Sequence, residues 1–543
     1  MNGAELLLEC LCQENVQIIF GYPGAAIAPL YDAMGRNGSV RHILVRHEQN
    51  AGHAASGYAR ASGRPGVCCA TSGPGALNLL TALATAYMDS IPLVAITGQV
   101  PTDMLGRDVF QEADTTGACE PFTKYSYLVK NVDDIPRVVR EAFHIASTGR
   151  PGPVLIDLPI DVQKTEFTGE FIYPQSVDIP GYKPRTSGHP LQIERAVEAI
   201  AKAQRPVICA GGGVVSAKAR KELIALAEKL DIPVVTTLMG VGIMPSGHRL
   251  SLGMLGSHGS QAANMATSQT DLLILCGARV GDRTLARPGQ IGVHAGIIHI
   301  DIDPVEIGKN MAADIPIVGD ARLILRDLAN RSESMTHGEW TELARSWKEN
   351  TVRPEHTLSG VDPSAFMRRL SELVSRRGKM IITADVGQNQ IWAANSLAFT
   401  GGRFLTSGGM GTMGYSIPAA VGAKLAKPSR QVIAVCGDGS FQMMLPELAT
   451  VVQNGVSIKI VVMRNDCLGM IREIQDKDYG SRRFSIGLDG IPDIQTIAKA
   501  YGIKSGRIDS NENADEAIEK MLSSRKPYIL ECVVSGEAGS IEK

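Results

Sequence analysis

Nine short runs of mostly apolar, largely β-branched residues recur along the chain, at 67–71, 94–97, 154–157, 207–210, 272–276, 381–384, 432–435, 458–462 and 529–533. They are continuous rather than alternating. A strand that is apolar at nearly every position is buried on both faces, which is the environment of a parallel sheet covered by helices. Helical patterns between the runs supply the crossovers, so the predicted fold class is α/β, built from doubly wound parallel sheets. Two segments interrupt the pattern: 169–190, with Pro174, Pro180, Pro184 and Pro190, and the polar stretch 331–360, with Pro354. They divide the 543 residues into three units of similar size, expected at 1–168, 190–330 and 362–535, each long enough to bury its own core. No short tandem repeat is present, but the similar lengths point to related folds among the units.

Charge narrows the ligand. Lys+Arg number 54 against 56 for Asp+Glu, so no basic field exists to hold nucleic acid or an anionic membrane, and small molecules are the expected ligands. No apolar stretch approaches the ~18 residues of a membrane span, and the N-terminus lacks the basic and apolar regions of a secretory signal. Ten cysteines without CxxC pairs read as small buried residues of a reducing cytoplasm rather than a disulfide or zinc framework. Glycine is in excess, 57 residues where about 7% is usual. That excess suits βα turns at which backbone approaches a ligand.

The sharpest candidate site is Gly437-Asp438-Gly439-Ser440, which closes the run 432–435 and is followed by a helical stretch, a second run and then Asn465. In an open α/β sheet ligands bind beyond the carboxyl ends of strands, where Asp438 and Asn465 both fall. One anionic and one neutral oxygen suit Mg²⁺, which takes its remaining ligands from phosphates and water. Gly437 and Gly439 allow close approach of a diphosphate, and Ser440 can open a helix whose N–H groups face it. In the central unit, Ala210-Gly211-Gly212-Gly213 follows a strand and precedes a helix, a second place where a phosphate could sit.

A GDG turn alone is common, but GDG, helix, strand and Asn465 27 residues after Asp438 resembles the thiamine diphosphate fold signature. The continuation Cys467-Leu468-Gly469-Met470 is similar to that of the acetolactate synthase large catalytic subunit family. The resemblance implies that Asp438, Asn465 and the Cys467 carbonyl hold Mg²⁺ on the diphosphate, with Gly439, Ser440, Leu468, Gly469 and Met470 around it. It also implies that Gly411 and Met413, in 407–414, prop the cofactor in a bent shape, although Met413 could equally be core filler. Gln388 and Asn389 resemble the remaining diphosphate loop, with Asn389 where a His is usual.

The chemistry also requires a carboxyl group against the pyrimidine ring. By the same resemblance this is Glu48, in Val45-Arg46-His47-Glu48-Gln49-Asn50, ahead of Gly73-Pro74-Gly75. Gln111 is carried over as a polar contact near the reacting carbon, and Ala25 lies in the loop over the thiazolium, where Gly is common. In the family, acid and diphosphate site face each other across a dimer interface. The resemblance therefore implies a homodimer or dimer of dimers, with a small regulatory subunit as a further possible partner.

The central unit resembles the FAD-binding domain of the same enzymes, in which the flavin is structural. Arg150, Gly212, Gly213, Leu255, Gly256, His258, Gly277, Arg279, Asp282, Asp301, Ile302 and Asp320 are the residues this places around FAD. Val280-Gly281 stands where the family has Phe-Asp. Arg283 is carried over as the cation at the entrance that holds a 2-keto acid's carboxylate.

The reaction implied is decarboxylation of pyruvate and transfer of its two-carbon unit to a second 2-keto acid, giving acetolactate for branched-chain amino acid biosynthesis. Several departures fall where the second substrate is chosen. Ile474 replaces a Trp, Ile160 a Lys, and Arg464 an Asn, and the sequence reads Ser540-Ile541-Glu542-Lys543 where the family often carries a Met-Val-Pro tail. They leave a second reading open, a related thiamine diphosphate lyase, decarboxylase or carboligase acting on another 2-keto acid or acyloin. A redox flavoenzyme or a non-catalytic binding subunit is the third.

Overall fold

The computed structural model describes residues 1–284, 291–292, 294–350, 358–490 and 492–541. Its frame is three six-stranded sheets with helices on both faces. The first sheet holds β1 (Ile18–Gly21), β2 (Arg41–Leu44), β3 (Gly66–Ala70), β4 (Leu93–Gln99), β5 (Tyr125–Leu128) and β6 (Pro153–Pro159). The central sheet holds β7 (Pro206–Ala210), β8 (Val234–Thr236), β9 (Ser251–Met254), β10 (Leu272–Cys276), β11 (Gly296–Asp301) and β12 (Ile315–Val318). The third holds β13 (Met380–Ala384), β14 (Arg403–Thr406), β15 (Gln431–Gly437), β16 (Lys459–Arg464), β17 (Lys504–Ile508) and β18 (Tyr528–Val533).

Every strand pair is parallel, as the continuous apolar runs required. All seven residues of β4 and of β6 are buried. The first sheet runs β2-β1-β3-β4-β6-β5 and the third β14-β13-β15-β16-β18-β17, the same order once each is counted from its own first strand. Two units therefore share one topology without sharing an obvious repeat. The central sheet runs β12-β11-β10-β7-β8-β9, which read from its other end is the 3-2-1-4-5-6 order of dinucleotide-binding folds.

One stretch behaves differently from its reading as a linker. Within 331–360 a helix, Gly338–Glu349, returns to the central sheet. Its Trp340 is 4% exposed among Val207, Leu273 and Ile297, and the indole N–H donates to the Pro206 carbonyl at 3.0 Å. Polar composition hid an amphipathic helix. Pro354 lies outside the described residues, as do Glu542 and Lys543. The other linker, 169–190, is pinned to the first unit: Tyr182 donates to the Thr148 carbonyl at 2.9 Å, and Lys124 Nζ donates to the Tyr182 hydroxyl at 2.9 Å.

The first and third units meet where helix Glu48–Ser62 crosses helix Ser416–Ala426. The crossing is so close that a Cβ on Gly57 would overlap the Ala419 carbonyl, and one on Gly422 the Ala54 carbonyl. Only glycine fits at either point. Around the contact, Ser56 Oγ and the Tyr415 hydroxyl lie 3.1 Å apart, and Arg60 donates to the Thr406 carbonyl at 2.7 Å.

Two outcomes follow for stability. Gly422→Ala is expected to lower the urea midpoint by the equivalent of about 1–3 kcal/mol, the usual cost of forcing an extra group into a packed interior. Gly35→Ala, in helix Ala28–Asn37 with open space around the new Cβ, is expected to be neutral or to gain up to ~1 kcal/mol from helix propensity. The second outcome concerns Asp157 on β6, whose oxygens accept from the Thr97 hydroxyl at 2.6 Å and Gln99 Nε2 at 3.0 Å. Burial pushes its carboxyl up to about 7. An acid raised in the folded state binds a proton that the unfolded chain has already released, so it contributes destabilisation as pH rises from about 4 to 7 and no further change above. The difference in melting temperature between Asp157→Asn and the parent should therefore move in favour of Asn across that window.

Candidate active site

At the mouth of the third sheet, β15 ends in Gly437 and the next residue, Asp438, opens helix Asp438–Met443. Asp438 is 2% exposed. Its Oδ1 accepts from the Gly439 N–H at 2.9 Å, and its Oδ2 from the N–H groups of Asn465 at 3.1 Å and Asp466 at 2.7 Å. Those donors favour the carboxylate, yet burial outweighs them and pushes the acid up to about 6. No Lys, Arg or His pairs with it among the described residues. A buried carboxylate in that state gains most from a cation supplied with the ligand.

Asn465 follows β16 on the adjacent strand. Its Oδ1 accepts from the Cys467 N–H at 3.2 Å, and its Nδ2 donates to Gln388 Oε1 at 3.0 Å. Asp466 takes the left-handed conformation, φ +53°, which turns the chain sharply beneath Asp438. The loop is then fixed by pairing with 486–488, Leu468 N–H to the Ile486 carbonyl at 2.8 Å and Leu488 N–H to the Asp466 carbonyl at 2.9 Å. The Cys467 carbonyl accepts from the Gly469 N–H at 3.0 Å. A Cβ on Gly469 would overlap Gln388 Oε1, so glycine here is a condition for the Gln388–Asn465 contact.

Met413 and Leu468 flank the same turn. A Cβ on Gly439 would lie 3.4 Å from Met413 Cε and 3.2 Å from Leu468 Cδ2. Ser440 is buried in the following helix. Gly411, φ +62°, starts the turn that carries Met413. Asn389 is used internally: its Nδ2 donates to the carbonyls of Asp385 at 3.0 Å and Val435 at 3.3 Å, tying the ends of β13 and β15 together. Oxygen donors from Asp438 and Asn465, a helix start and an open glycine cradle fit a Mg²⁺-bound diphosphate. No group of three or more His, Cys, Asp or Glu is gathered among the described residues. The donor set accordingly suits an ion that takes most of its ligands from phosphate and water.

A second cluster forms in the first unit. Glu48 is the first residue of helix Glu48–Ser62, after the N-cap His47. Its Oε2 accepts from Asn78 Nδ2 at 2.9 Å, while Oε1 lies 3.3 Å from the Cβ position of Gly75. Thr71 Oγ1 accepts from the Ala26 N–H at 3.2 Å and so holds the 3₁₀ turn Ala25–Ile27, with Ala25 exposed and Ala26 and Ile27 buried, close by. Gln111 is left-handed at φ +58° and packs on Gly73, whose Cβ would come within 2.8 Å of the Gln111 carbonyl. Glu48, Ala25 and Gln111 thus share one neighbourhood. No hydrogen bond or ion pair among the described residues joins Glu48 or Gln111 to Asp438, Asn465 or Gln388.

Between the units lies a cleft of about 1830 Å³. It is lined by Arg150, Gly212, Gly213, Leu255, His258, Gly277, Arg279, Asp282, Asp301, Ile302 and Asp320, and also by Arg283, Gly411, Met470 and Ile474. Its floor is the switch point between β7 and β10, where Gly211 and Gly213 pack against Gly277. Arg150 donates to Ser90 at 2.9 Å and Glu306 at 2.8 Å, and Arg279 to the Met88 carbonyl at 2.5 Å. Burial pushes Asp301 up to about 6 and pulls His258 down.

Gly256 is not in the lining. It turns the chain at φ +124° against the Arg283 carbonyl. Asp320 caps helix Ala321–Arg331, accepting from the N–H groups of Arg322 at 3.0 Å and Leu323 at 3.1 Å. Asp282 and Arg283 are exposed and 3.6 Å apart, at the rim. Sequence reasoning missed Asp89, which lines the cleft and accepts from the N–H groups of Gly408 and Gly409 at 3.0 and 2.8 Å. It also missed Glu473, which accepts from Gln388 Nε2 at 2.6 Å. Neither carries a motif; their partners are distant in the chain.

The sequence matches three family models: thiamine pyrophosphate enzyme, N-terminal TPP binding domain, over residues 1–118; its central domain over 193–328; and its C-terminal TPP binding domain over 385–532. A probable acetolactate synthase large subunit of Methanocaldococcus jannaschii is 48% identical over 98% of this chain and 92% of its own length. The acetolactate synthase large subunit of Corynebacterium glutamicum is 44% identical over 99% of this chain and 87% of its own, and that of Buchnera aphidicola 43% over 95% and 91%. On fold, site and sequence together, the chain belongs to the acetolactate synthase large-subunit family of thiamine pyrophosphate enzymes.

Proposed function

We propose that this chain decarboxylates pyruvate and joins the two-carbon unit to a second 2-keto acid, giving acetolactate in branched-chain amino acid biosynthesis. The observation that carries the reading is the pairing of a buried, cation-free Asp438 beside Asn465 with a separate carboxyl at Glu48. Thiamine diphosphate, when bound, supplies the carbon nucleophile and the electron sink for loss of CO₂. Asp438, Asn465 and the Cys467 carbonyl would hold Mg²⁺ on its diphosphate, with Gly439, Ser440, Leu468, Gly469 and Met470 around it. Met413 supports the bend. Glu48 is the acid: Asn78 holds its Oε2, leaving Oε1 over Gly75 to carry the proton. Gln111 and the turn at Ala25 would lie beside the reacting carbon, and Arg283 at the rim would receive a keto acid's carboxylate.

The same reading assigns 1–168 to the pyrimidine, 190–330 to FAD and 362–535 to the diphosphate. FAD is the proposed occupant of the cleft at the β7/β10 switch point, held by Arg150, Arg279 and Asp301. Two unconnected half-sites in one chain support a homodimer or dimer of dimers in which each acid serves its partner. The relatives' designation as large subunits supports a small regulatory partner. A cytoplasmic location rests on ten cysteines without a disulfide, eight of them buried.

The test is product identification with pyruvate, Mg²⁺ and thiamine diphosphate, then with 2-ketobutyrate added. Acetolactate is expected; acetaldehyde alone would favour the related decarboxylase. Glu48→Gln should cut turnover by about 10²-fold or more while still binding cofactor. The purified protein should show a flavin spectrum, lost in Arg279→Ala.

A further inference from the structure

We infer that Glu447 is a positioning residue for Glu48, acting through a grip that one side of helix Glu447–Gln453 places on residues 44–50. The proposal rests on the reading of Glu48 as the acid.

Glu447 is 1% exposed and belongs to the third unit, in the helix after the one that Asp438 opens. A single oxygen, Oε1, accepts from the Arg46 backbone N–H at 2.6 Å and from Asn50 Nδ2 at 3.0 Å. These residues stand two before and two after Glu48, so one carboxylate oxygen bridges the turn that presents the acid. The hold extends along the helix at three-residue spacing, which keeps side chains on neighbouring positions of one surface. Thr450 Oγ1 donates to the Leu44 carbonyl at 3.3 Å, and Gln453 Oε1 accepts from the Arg46 guanidinium at 2.6 Å. Arg46 folds back on its own segment, donating to the Leu44 carbonyl at 3.1 Å.

Glu48 itself makes one side-chain hydrogen bond, to Asn78. Its backbone direction is therefore set by the turn, and the turn by Glu447. A shift of about 1 Å in a catalytic group can cost about 10²-fold in rate. The sequence around Glu447 gives no hint of this, because its partners lie some four hundred residues earlier in the chain.

The experiment uses the full-length protein and three variants. Glu447→Leu removes the acceptor, Glu447→Gln keeps Oε1, and Gln453→Leu removes an exposed part of the grip. In the protein without cofactor, amide hydrogen exchange in peptides covering 41–53 should rise at least tenfold in Glu447→Leu, with peptides of β15 and β16 unchanged. In the reconstituted enzyme its kcat should fall by about 10²-fold, with the dissociation constant for thiamine diphosphate changed less than about threefold. Glu447→Gln should recover most of both. Gln453→Leu, safe for folding, should shift the same peptides and lower kcat a fewfold. Unchanged exchange in 41–53, exchange raised equally throughout the third unit, or a Gln variant as impaired as Leu would each overturn the proposal. If Glu447→Leu does not fold, an unshifted Gln453→Leu does so. Glu48→Gln separates the two readings: turnover retained there removes Glu48 as the acid, whereas turnover lost there but kept in Glu447→Leu removes only the grip.

Discussion

The contact of helix Glu48–Ser62 with helix Ser416–Ala426 is the constraint on which the rest depends, because it joins the first unit, which carries Glu48, to the third, which carries the Asp438 turn. Glycine at 57 and 422 lets backbone meet backbone, and at that separation dispersion contacts are dense while little side-chain entropy is lost. Several polar groups around it are paired. Ser56 meets Tyr415, Arg60 reaches the Thr406 carbonyl, and Asp89 accepts from Gly408 and Gly409. His53 lies edge-on to Tyr415 at 5.3 Å, and complete burial pulls it down to about 3, so it serves as a neutral ring. An interface this close has one register, which fixes the first unit against the third.

Desolvation is felt by several acids, and their surroundings decide what each can do. Asp385 is completely buried and raised to about 7, but it accepts from both the N–H and the hydroxyl of Ser416 at 2.7 and 2.8 Å. Asp157 is engaged by Thr97 and Gln99. Both face inward and are occupied by donors of their own domain, so they organise structure. Asp438 meets three backbone N–H groups, and they come from the turn that lies at the strand mouth. It is the acid of the three that opens a helix directly beyond the carboxyl end of a strand.

How much was legible follows from where information sits in a chain. The fold class was readable because strands in the middle of parallel sheets, such as β4 and β6, are buried at every position and apolar at most of them. The edge strands β2, β5 and β17 were not, since half-exposed positions break the pattern; nor was β11, whose His299 and Asp301 interrupt it. Asp438, Asn465 and Glu48 sit in local motifs and could be named. Asp320 could be named as well, but its role as a helix cap depends on where its side chain points. Glu447 and Asp89 have partners hundreds of residues away, Glu473 has partners 67 and 85 residues away, and a single sequence holds no record of such pairs.

The second substrate is where family resemblance gives least. Ile474 stands in the place of a large aromatic wall, on helix Gly469–Asp478 at the rim of the cleft. The inward side of that helix is committed elsewhere: Arg472 donates to the carbonyls of Gly536 and Ala538, and Glu473 accepts from the Ser540 hydroxyl at 2.7 Å and from Gln388. Ile471 and Ile474 are left outward, 43% and 38% exposed. An exposed side chain discriminates substrates only by area that something else covers. A methylene in a pocket is worth about 1–3 kcal/mol of selectivity when enclosed, and little when open to water. The helix that bears Ile474 is anchored through Glu473 to Gln388, and through Gln388 to the side chain of Asn465.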